Sequence, residues 1–298
     1  MKWYSGLNNY KIQTTTDNKF LLEYLEQPFD PNLSIQEIYV NHLNSISRPF
    51  VEILFSGGVD SEILLLTLLE MKIPVKVKTI KLYFNDLLIN GYDLYFVDNF
   101  CRANNIKVDY INLEITKFHG SAKDIDICTK YHIQKPYQSF TFYALQQCEG
   151  YVIMGGEHPW VTWSNGKFSL ICPSITFSSY ELFFKDYGLE GIGNMQTYSL
   201  GSLYKFVKSH LQVFFLCEQK YYKNKYKYLE IGNIKRELLT NLGYKVLPRV
   251  KMNGFEPLIR YKQYHEEITI EFAKNFTQYY GELKLPNSIQ MLLDEFSN

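Results

Sequence analysis

The stretch that most constrains this chain is VEILFSGGVDSEILLLTLLEM, residues 51–71, because it joins two segments that both demand burial. VEILF (51–55) is an apolar run of strand length with Glu52 its one polar residue, and EILLLTLLEM (62–71) has apolar residues on every side. A half-exposed strand alternates, and a surface helix keeps its apolar residues to one stripe; neither pattern is present. A central strand followed by a buried helix is therefore expected. Strands buried on both faces belong to parallel sheets covered by helices.

The segments downstream repeat this alternation. Pro74 ends the helix, VKVKTIKLY (75–83) alternates as a second strand, and IKVDYINLE (106–114) reads as a third. Between them, residues 86–104 carry Leu87, Leu94, Val97 and Cys101 at helical spacing. SFTFYALQQC (139–148) predicts a helix and YVIMGGE (151–157) a fourth strand, connected by right-handed crossovers. Beyond Pro159 the alternation stops: WVTWSNGKFSL has the pattern of a hairpin around Asn165-Gly166, and YELFFKDYG, LYKFVKSHLQVFFLCE, IGNIKRELLTNLG and SIQMLLDEF read as helices. The expected class is α/β. It comprises a lead-in over 1–47 with a short helix near 33–43, a doubly wound parallel α/β nucleotide domain over 48–160, and a mainly helical region with a small hairpin over 161–298.

Between the first strand and its helix lies Ser56-Gly57-Gly58-Val59-Asp60-Ser61. Glycines let the backbone curl so that successive N–H groups converge on an anion, and the helix adds its positive end. A phosphate suits that place. Ser56 and Ser61 can donate hydrogen bonds, while Asp60 can cap the helix or help hold a Mg²⁺ ion. The string has neither the GK[ST] of a Walker loop nor the GxGxxG of a dinucleotide fold.

SGGVDS in this setting resembles the PP-loop signature of the ATP pyrophosphatase superfamily, which includes asparagine-synthetase-like ligases, GMP and NAD synthetases, tRNA-modifying enzymes and sulfonucleotide reductases. The resemblance covers residues 51–160, and the hexapeptide is its specific part. It implies a five-stranded parallel sheet, ATP cleaved between its α and β phosphates, and a Mg²⁺ cofactor. It also implies that Ser56, Gly57, Gly58, Val59, Asp60 and Ser61 hold the pyrophosphate portion, while Ile80-Lys81-Leu82-Tyr83 faces adenine. The fourth strand of such a sheet lies beside the first, so Met154-Gly155-Gly156-Glu157-His158 ends at the same crevice. There Gly155 and Gly156 would let the backbone approach the nucleotide. Glu157 resembles the acidic Mg²⁺ ligand of asparagine-synthetase-like enzymes; a tight turn with a solvated acid explains the same residues.

Departures from the branches of that superfamily narrow the reaction. Lys2 stands where the glutamine-dependent arrangement has a catalytic cysteine, so ammonia, an amine or a partner glutaminase would supply nitrogen. Cys101, Cys128, Cys148, Cys172 and Cys217 are scattered, without the clusters of thiolation or zinc-binding branches. In such ligases a cation from the C-terminal region often reaches the phosphates, and Lys251 is the candidate, beside Arg249, Arg260 and Lys262. His119 and His158 fall at strand ends, where a general base would serve a cleft, although a loop histidine is more often a solvated polar group. Trp160 and Trp163 suit either an acceptor pocket or a core.

Charge sharpens the choice of partners. The chain holds 31 Lys and Arg against 31 Asp and Glu, which excludes a uniformly basic nucleic-acid binder. Residues 201–262 nevertheless hold 13 basic and 4 acidic residues. Within them KYYKNKYKY (220–228) interleaves Lys with Tyr, as phosphate contact combined with base stacking requires; a solvated loop in a chain of 25 Tyr and 4 Ala is the commoner source of such a run. The N-terminal residues MKWYSGLNNYKIQTTT lack the apolar core of a secretion signal, and no window has the length of a membrane span; a cytoplasmic location is expected. The expected function is adenylation of a carbonyl or carboxylate of a small acceptor for amide-type bond formation. A tRNA-modifying enzyme docking through 201–262 and a non-catalytic nucleotide-binding module are the alternatives.

Overall fold

A computed structural model describes residues 2–6, 10–14, 19–44, 46, 48–131, 133, 137–156, 160–164, 167–171, 174–216, 239–240, 243 and 280–297. The chain starts with strands β1 (Lys2–Gly6), β2 (Tyr10–Thr14) and β3 (Lys19–Tyr24), an antiparallel meander. Helix α1 (Ile35–Asn44) follows. Its start is closed by a capping box in which Glu37 N–H donates to Ser34 Oγ and Ser34 N–H donates to Glu37 Oε2.

The expected α/β run is present. Strand β4 (Val51–Leu54) leads into α2 (Val59–Glu70), and β5 (Val75–Phe84) into a short β6 (Leu87–Leu88) and α3 (Gly91–Ala103). The helix expected over 86–104 is thus shorter at its start. Asn85 and Asp86 both take positive φ, and their two-residue turn folds β6 antiparallel onto β5 before α3 begins. Then come β7 (Val108–Glu114), helices α4 (Ile115–Gly120), α5 (Lys123–Tyr131) and α6 (Gln138–Leu145), and β8 (Tyr151–Ile153). The hairpin of β9 (Trp160–Ser164) and β10 (Lys167–Ile171) is antiparallel, pairing Trp163 with Phe168. It precedes α7 (Ser174–Tyr187), β11 (Glu190–Ile192) and α8 (Leu200–Leu216); β12 (Tyr280–Lys284) and α9 (Asn287–Ser297) close the chain.

Strands β7, β5, β4, β8 and β11 lie side by side in that order, all parallel, with β6 antiparallel on β5. The fifth parallel strand comes from residues 190–192, past residue 160, with α7 as its crossover. A second sheet joins the two ends of the chain: β12 pairs parallel with β3.

Helices cover both faces of the parallel sheet. Val51, Ile53 and Phe55 face a core with Tyr39 of α1, Leu64 and Leu68 of α2 and Val97 of α3. Val152 and Met154 face the other core, with Phe118 of α4, Phe142 of α6 and Phe183 of α7. Burial on both sides accounts for the apolar run of β4, broken only by the buried Glu52, and for the apolar residues all round α2. A third core gathers α8, α9, the β9–β10 hairpin and Tyr24 of β3. Among the described residues, no helix is long and apolar enough to cross a membrane.

Candidate functional site

Strand β4 leaves its ladder at Phe55, whose N–H donates to Lys78 O at 2.8 Å and whose carbonyl accepts from Thr79 Oγ1 at 2.6 Å. The chain then turns at Gly57, with φ +71°, where a Cβ would collide with the Asp93 carbonyl of α3. Only glycine fits both demands. Gly58 precedes α2 in extended conformation and brings no side chain to the helix end. Ser61 Oγ donates to Gly58 O at 3.0 Å and lies 3.2 Å from Ser56 Oγ, which accepts from Gly58 N–H at 3.3 Å. The two hydroxyls brace the turn from within. The positive end of a 12-residue helix therefore opens beside a glycine turn at the carboxyl edge of the sheet.

Beside it lies the switch point of the sheet. From β4 the chain crosses over to β5 on one side, and from β8 to β11 on the other. The crevice at such a point is where open α/β sheets take ligands. Gly155, just past β8, sits on the first turn of α2: a Cβ there would stand 2.8 Å from the Asp60 carbonyl carbon and 2.9 Å from Ser61 N. Gly156, with φ +74°, leaves no room for a Cβ beside Asn194. The two glycines thus let the exit of β8 pass between α2 and residues 194–196.

Those residues complete the site. Asn194 Oδ1 accepts from Gln196 N–H at 3.1 Å and caps a single 3₁₀ turn, Met195–Thr197, which Met195 N–H ties to Met154 O at 3.0 Å. From this turn Gln196 Nε2 donates to Asp60 Oδ1 at 2.6 Å. Gln196 is 3% exposed, and its Oε1 has no partner among the described residues. Sequence reasoning missed Gln196 and Asn194. The bond to Asp60 spans 136 positions, and no local motif marks its far end.

The donor set can be tested against Mg²⁺. Among the described residues, no group of three or more His, Cys, Asp and Glu could hold a metal. Among the described residues, the carboxylate of Asp60 stands at the Ser56–Ser61 turn. Mg²⁺ keeps several waters and takes one or two carboxylates with phosphate oxygens, so Asp60 beside bound phosphates fits it.

The other expected residues divide. Leu82 is buried in the core, its N–H donates to Asn90 Oδ1 at 2.9 Å, and Asn90 Nδ2 donates to Ile80 O at 2.8 Å. A base docking on that strand edge would have to displace the Asn90 carboxamide. Lys81 Nζ lies 3.8 Å above the Tyr110 ring, whose hydroxyl donates to Asp98 Oδ1. Burial, then the bond to Asp98, pushes the Tyr110 phenol up to about 12, so it stays neutral. His119 Nδ1 lies 2.6 Å from Asp124 Oδ2, on α4 and α5 beyond β7. Cys101, Cys128 and Cys148 are buried and unpaired as disulfides. Burial pushes the first up to about 11, the second upward and the third up to about 12, which disfavours the reactive thiolate. Glu157, His158, Cys172, Cys217, Lys251, Arg249, Arg260, Lys262 and the lysines of 220–228 lie outside the described residues, as do the side chains of Trp160 and Trp163.

No family model matches the chain, and no curated protein matches it. Among solved structures it is similar to a predicted subunit of tRNA methyltransferase from Methanocaldococcus jannaschii, at 16% identity and TM-score 0.33, over 52% of this chain and 72% of that one. It is also similar to NMN synthetase from Francisella tularensis, at 14% identity and TM-score 0.32, over 87% of this chain and 100% of that one. At these TM-scores the likeness carries no argument. The resemblance to PP-loop proteins stands on the loop and strand order of the chain itself.

Proposed function

We propose that the chain is an ATP-dependent adenylating enzyme of PP-loop type. In this reading the pyrophosphate portion of ATP rests on the Ser56–Ser61 turn beside the N–H groups of Gly57 and Val59 and the Ser56 hydroxyl, its oxygens replacing Ser56 Oγ as acceptor from Gly58 N–H and Gly58 O as acceptor from the Ser61 hydroxyl. An oxygen of an acceptor carboxylate or amide attacks the α-phosphorus, the bond from that phosphorus to the bridging oxygen breaks, and pyrophosphate departs with the electron pair. An amine or ammonia then attacks the activated carbonyl carbon, loses a proton and displaces AMP. Mg²⁺, when bound, neutralises charge on the phosphates. Asp60 would hold it, with Glu157 as a second acid and Lys251 as the cation drawn from the C-terminal region.

The observation that carries this reading is the SGGVDS turn at the β4–α2 junction, beside the switch point, with Asp60 held by Gln196. The test is product analysis of ATP incubated with the protein and a panel of acceptors. AMP and pyrophosphate are expected, with turnover falling on the order of 10²-fold in Asp60→Ala, the scale of removing one group that stabilises developing charge. ADP and phosphate as products would sink the reading. Tight ATP binding without turnover on any acceptor would identify a nucleotide-binding module instead.

A second reading has its own observation. The basic surplus of residues 201–262 suits docking of tRNA or another nucleic acid as the acceptor. The burial of Cys101, Cys128 and Cys148 favours amine transfer over thiolation by these three residues.

A further inference from the structure

We propose that Gln196 is a cation ligand that exchanges its carboxamide ends when a divalent cation binds, so that Gln196 Oε1 joins Asp60 on the protein side of that cation's site. The inference rests on the phosphate-binding reading of the Ser56–Ser61 turn. Its first support is how firmly Gln196 is placed. The residue is buried, its N–H is bonded to Asn194, and its neighbour Met195 is bonded to Met154, so the side chain leaves from a fixed backbone.

The second support is the unequal fate of the two ends of the carboxamide. Nε2 is bonded to Asp60 Oδ1 at 2.6 Å, whereas Oε1 has no partner among the described residues. A buried acceptor without a partner is destabilising, and native structures keep few of them without a reason. Without a cation only this orientation is possible, because Oε1 turned toward Asp60 would set two acceptors against each other. A divalent cation reverses the preference, since it takes oxygen and rejects an N–H donor. Rotation of about 180° about the terminal torsion, one of the broad two-fold torsions of side chains, then offers Oε1 and the Asp60 carboxylate to one ion. The orphaned acceptor gains a partner in the same step. Because the start of α2 carries partial positive charge, a lone cation is disfavoured there, and the ion binds together with phosphate.

The test uses the full chain, Mn²⁺ as a spectroscopic probe and inorganic pyrophosphate as the anion. Mn²⁺ affinity is measured by electron paramagnetic resonance in the presence of pyrophosphate, beside the thermal midpoint with and without both ligands. Gln196→Leu, which removes both ends at similar length, is expected to weaken Mn²⁺ at least about tenfold, the loss seen when even a residue that only supports a metal ligand is removed. Gln196→Glu is expected to lower the midpoint without ligands, since two carboxylates then face each other. With Mn²⁺ and pyrophosphate it is expected to recover that midpoint and bind Mn²⁺ at least as tightly as the wild type. A merely structural clamp gives no such rescue. Unchanged Mn²⁺ affinity in both variants, or equal loss in both, overturns the inference; if Gln196→Leu does not fold, Gln196→Glu decides alone by the presence or absence of rescue. Pyrophosphate binding with Mn²⁺ affinity indifferent to Gln196 overturns this inference alone. No pyrophosphate binding by the wild-type chain overturns the phosphate-site reading and this inference with it.

Discussion

Single residues in this site are chosen by close approach as much as by chemistry. Gly155 has backbone for its nearest neighbours, the Asp60 carbonyl and Ser61 N, and backbone within a helix does not give way as a flexible side chain does. Gly155→Ala should therefore displace the first turn of α2, at a cost of about 1–3 kcal/mol, the usual range for overpacking. Calorimetric titration with a non-hydrolysable ATP analogue should show weakened binding while far-UV circular dichroism keeps the helix content; unchanged affinity would show that the turn tolerates the shift. Lys72 illustrates the opposite situation. It takes φ +57° just past α2, where Ile73 N–H closes back onto Leu68 O, a position that glycine fills without strain. Lys72→Gly should stabilise the fold by up to about 1 kcal/mol, the left-handed penalty less the added freedom of glycine in the unfolded chain. A urea titration reads this directly as a higher midpoint at unchanged slope.

Among the elements, two polar anchors hold the sheet to its connections. Glu52 of β4 is 1% exposed, lies 3.5 Å from Lys78 Nζ of β5 and accepts from Glu149 N–H at 3.0 Å; Lys78 also donates to Gln147 O. The pair thereby pins the connection between α6 and β8. Glu52→Leu leaves the Lys78 charge without its partner and should cost about 3–5 kcal/mol, whereas pairing it with Lys78→Met should regain much of that loss. A double-mutant cycle in urea provides the check, and additive losses would refute the coupling. Glu114 is the second anchor, ending β7 and receiving N–H groups of Asn85, Asp86 and Thr116 and the Thr116 hydroxyl. Burial alone would raise its carboxyl, but these four hydrogen bonds together hold it below the usual glutamate value. A depressed folded value means that the contribution is fully present above the unfolded value and is lost as pH falls through the folded one. Glu114→Gln should accordingly flatten the acid limb of the stability profile measured by thermal melts between pH 6 and the acid end. The same elements show what periodicity can reveal. The strand β4 and the helix α2 were legible because burial all round writes itself into apolar runs, and β5 and β7 because deeper burial of one face writes itself into alternation. β1 and β2, reading KWYSG and YKIQT, carry no such run, and β12 is made a strand by pairing with β3 more than 250 positions away. The three-residue β11 owes its place to β8.

For the molecule as a whole, the Ser56–Ser61 turn was readable from six adjacent residues, while its support was not. Gln196 acts on Asp60 across the fold, and a contact of that kind leaves no spacing to recognise. Charge is distributed on the same long scale. The chain is neutral only as a sum, since residues 201–262 carry 13 basic and 4 acidic residues and the remainder balances them. Electrostatic binding to a nucleic acid depends on such local surplus, because each phosphate neutralised releases condensed counterions whatever the total charge of the protein. If Lys220, Lys223, Lys225 and Lys227 contact phosphates, replacing all four with Gln should reduce the slope of log affinity against log salt by roughly three for single-stranded RNA, at about 0.7 per contact. Tyr221, Tyr222, Tyr226 and Tyr228, left in place, would keep any stacking contribution, which depends little on salt. The measurement is RNA binding by fluorescence anisotropy over a salt series, with ATP turnover followed in parallel. A reduced slope with ATP cleavage intact on a small acceptor assigns the basic segment to docking alone. An unchanged slope removes these lysines from any nucleic-acid interface and leaves the small-acceptor reading as the one that accounts for the site.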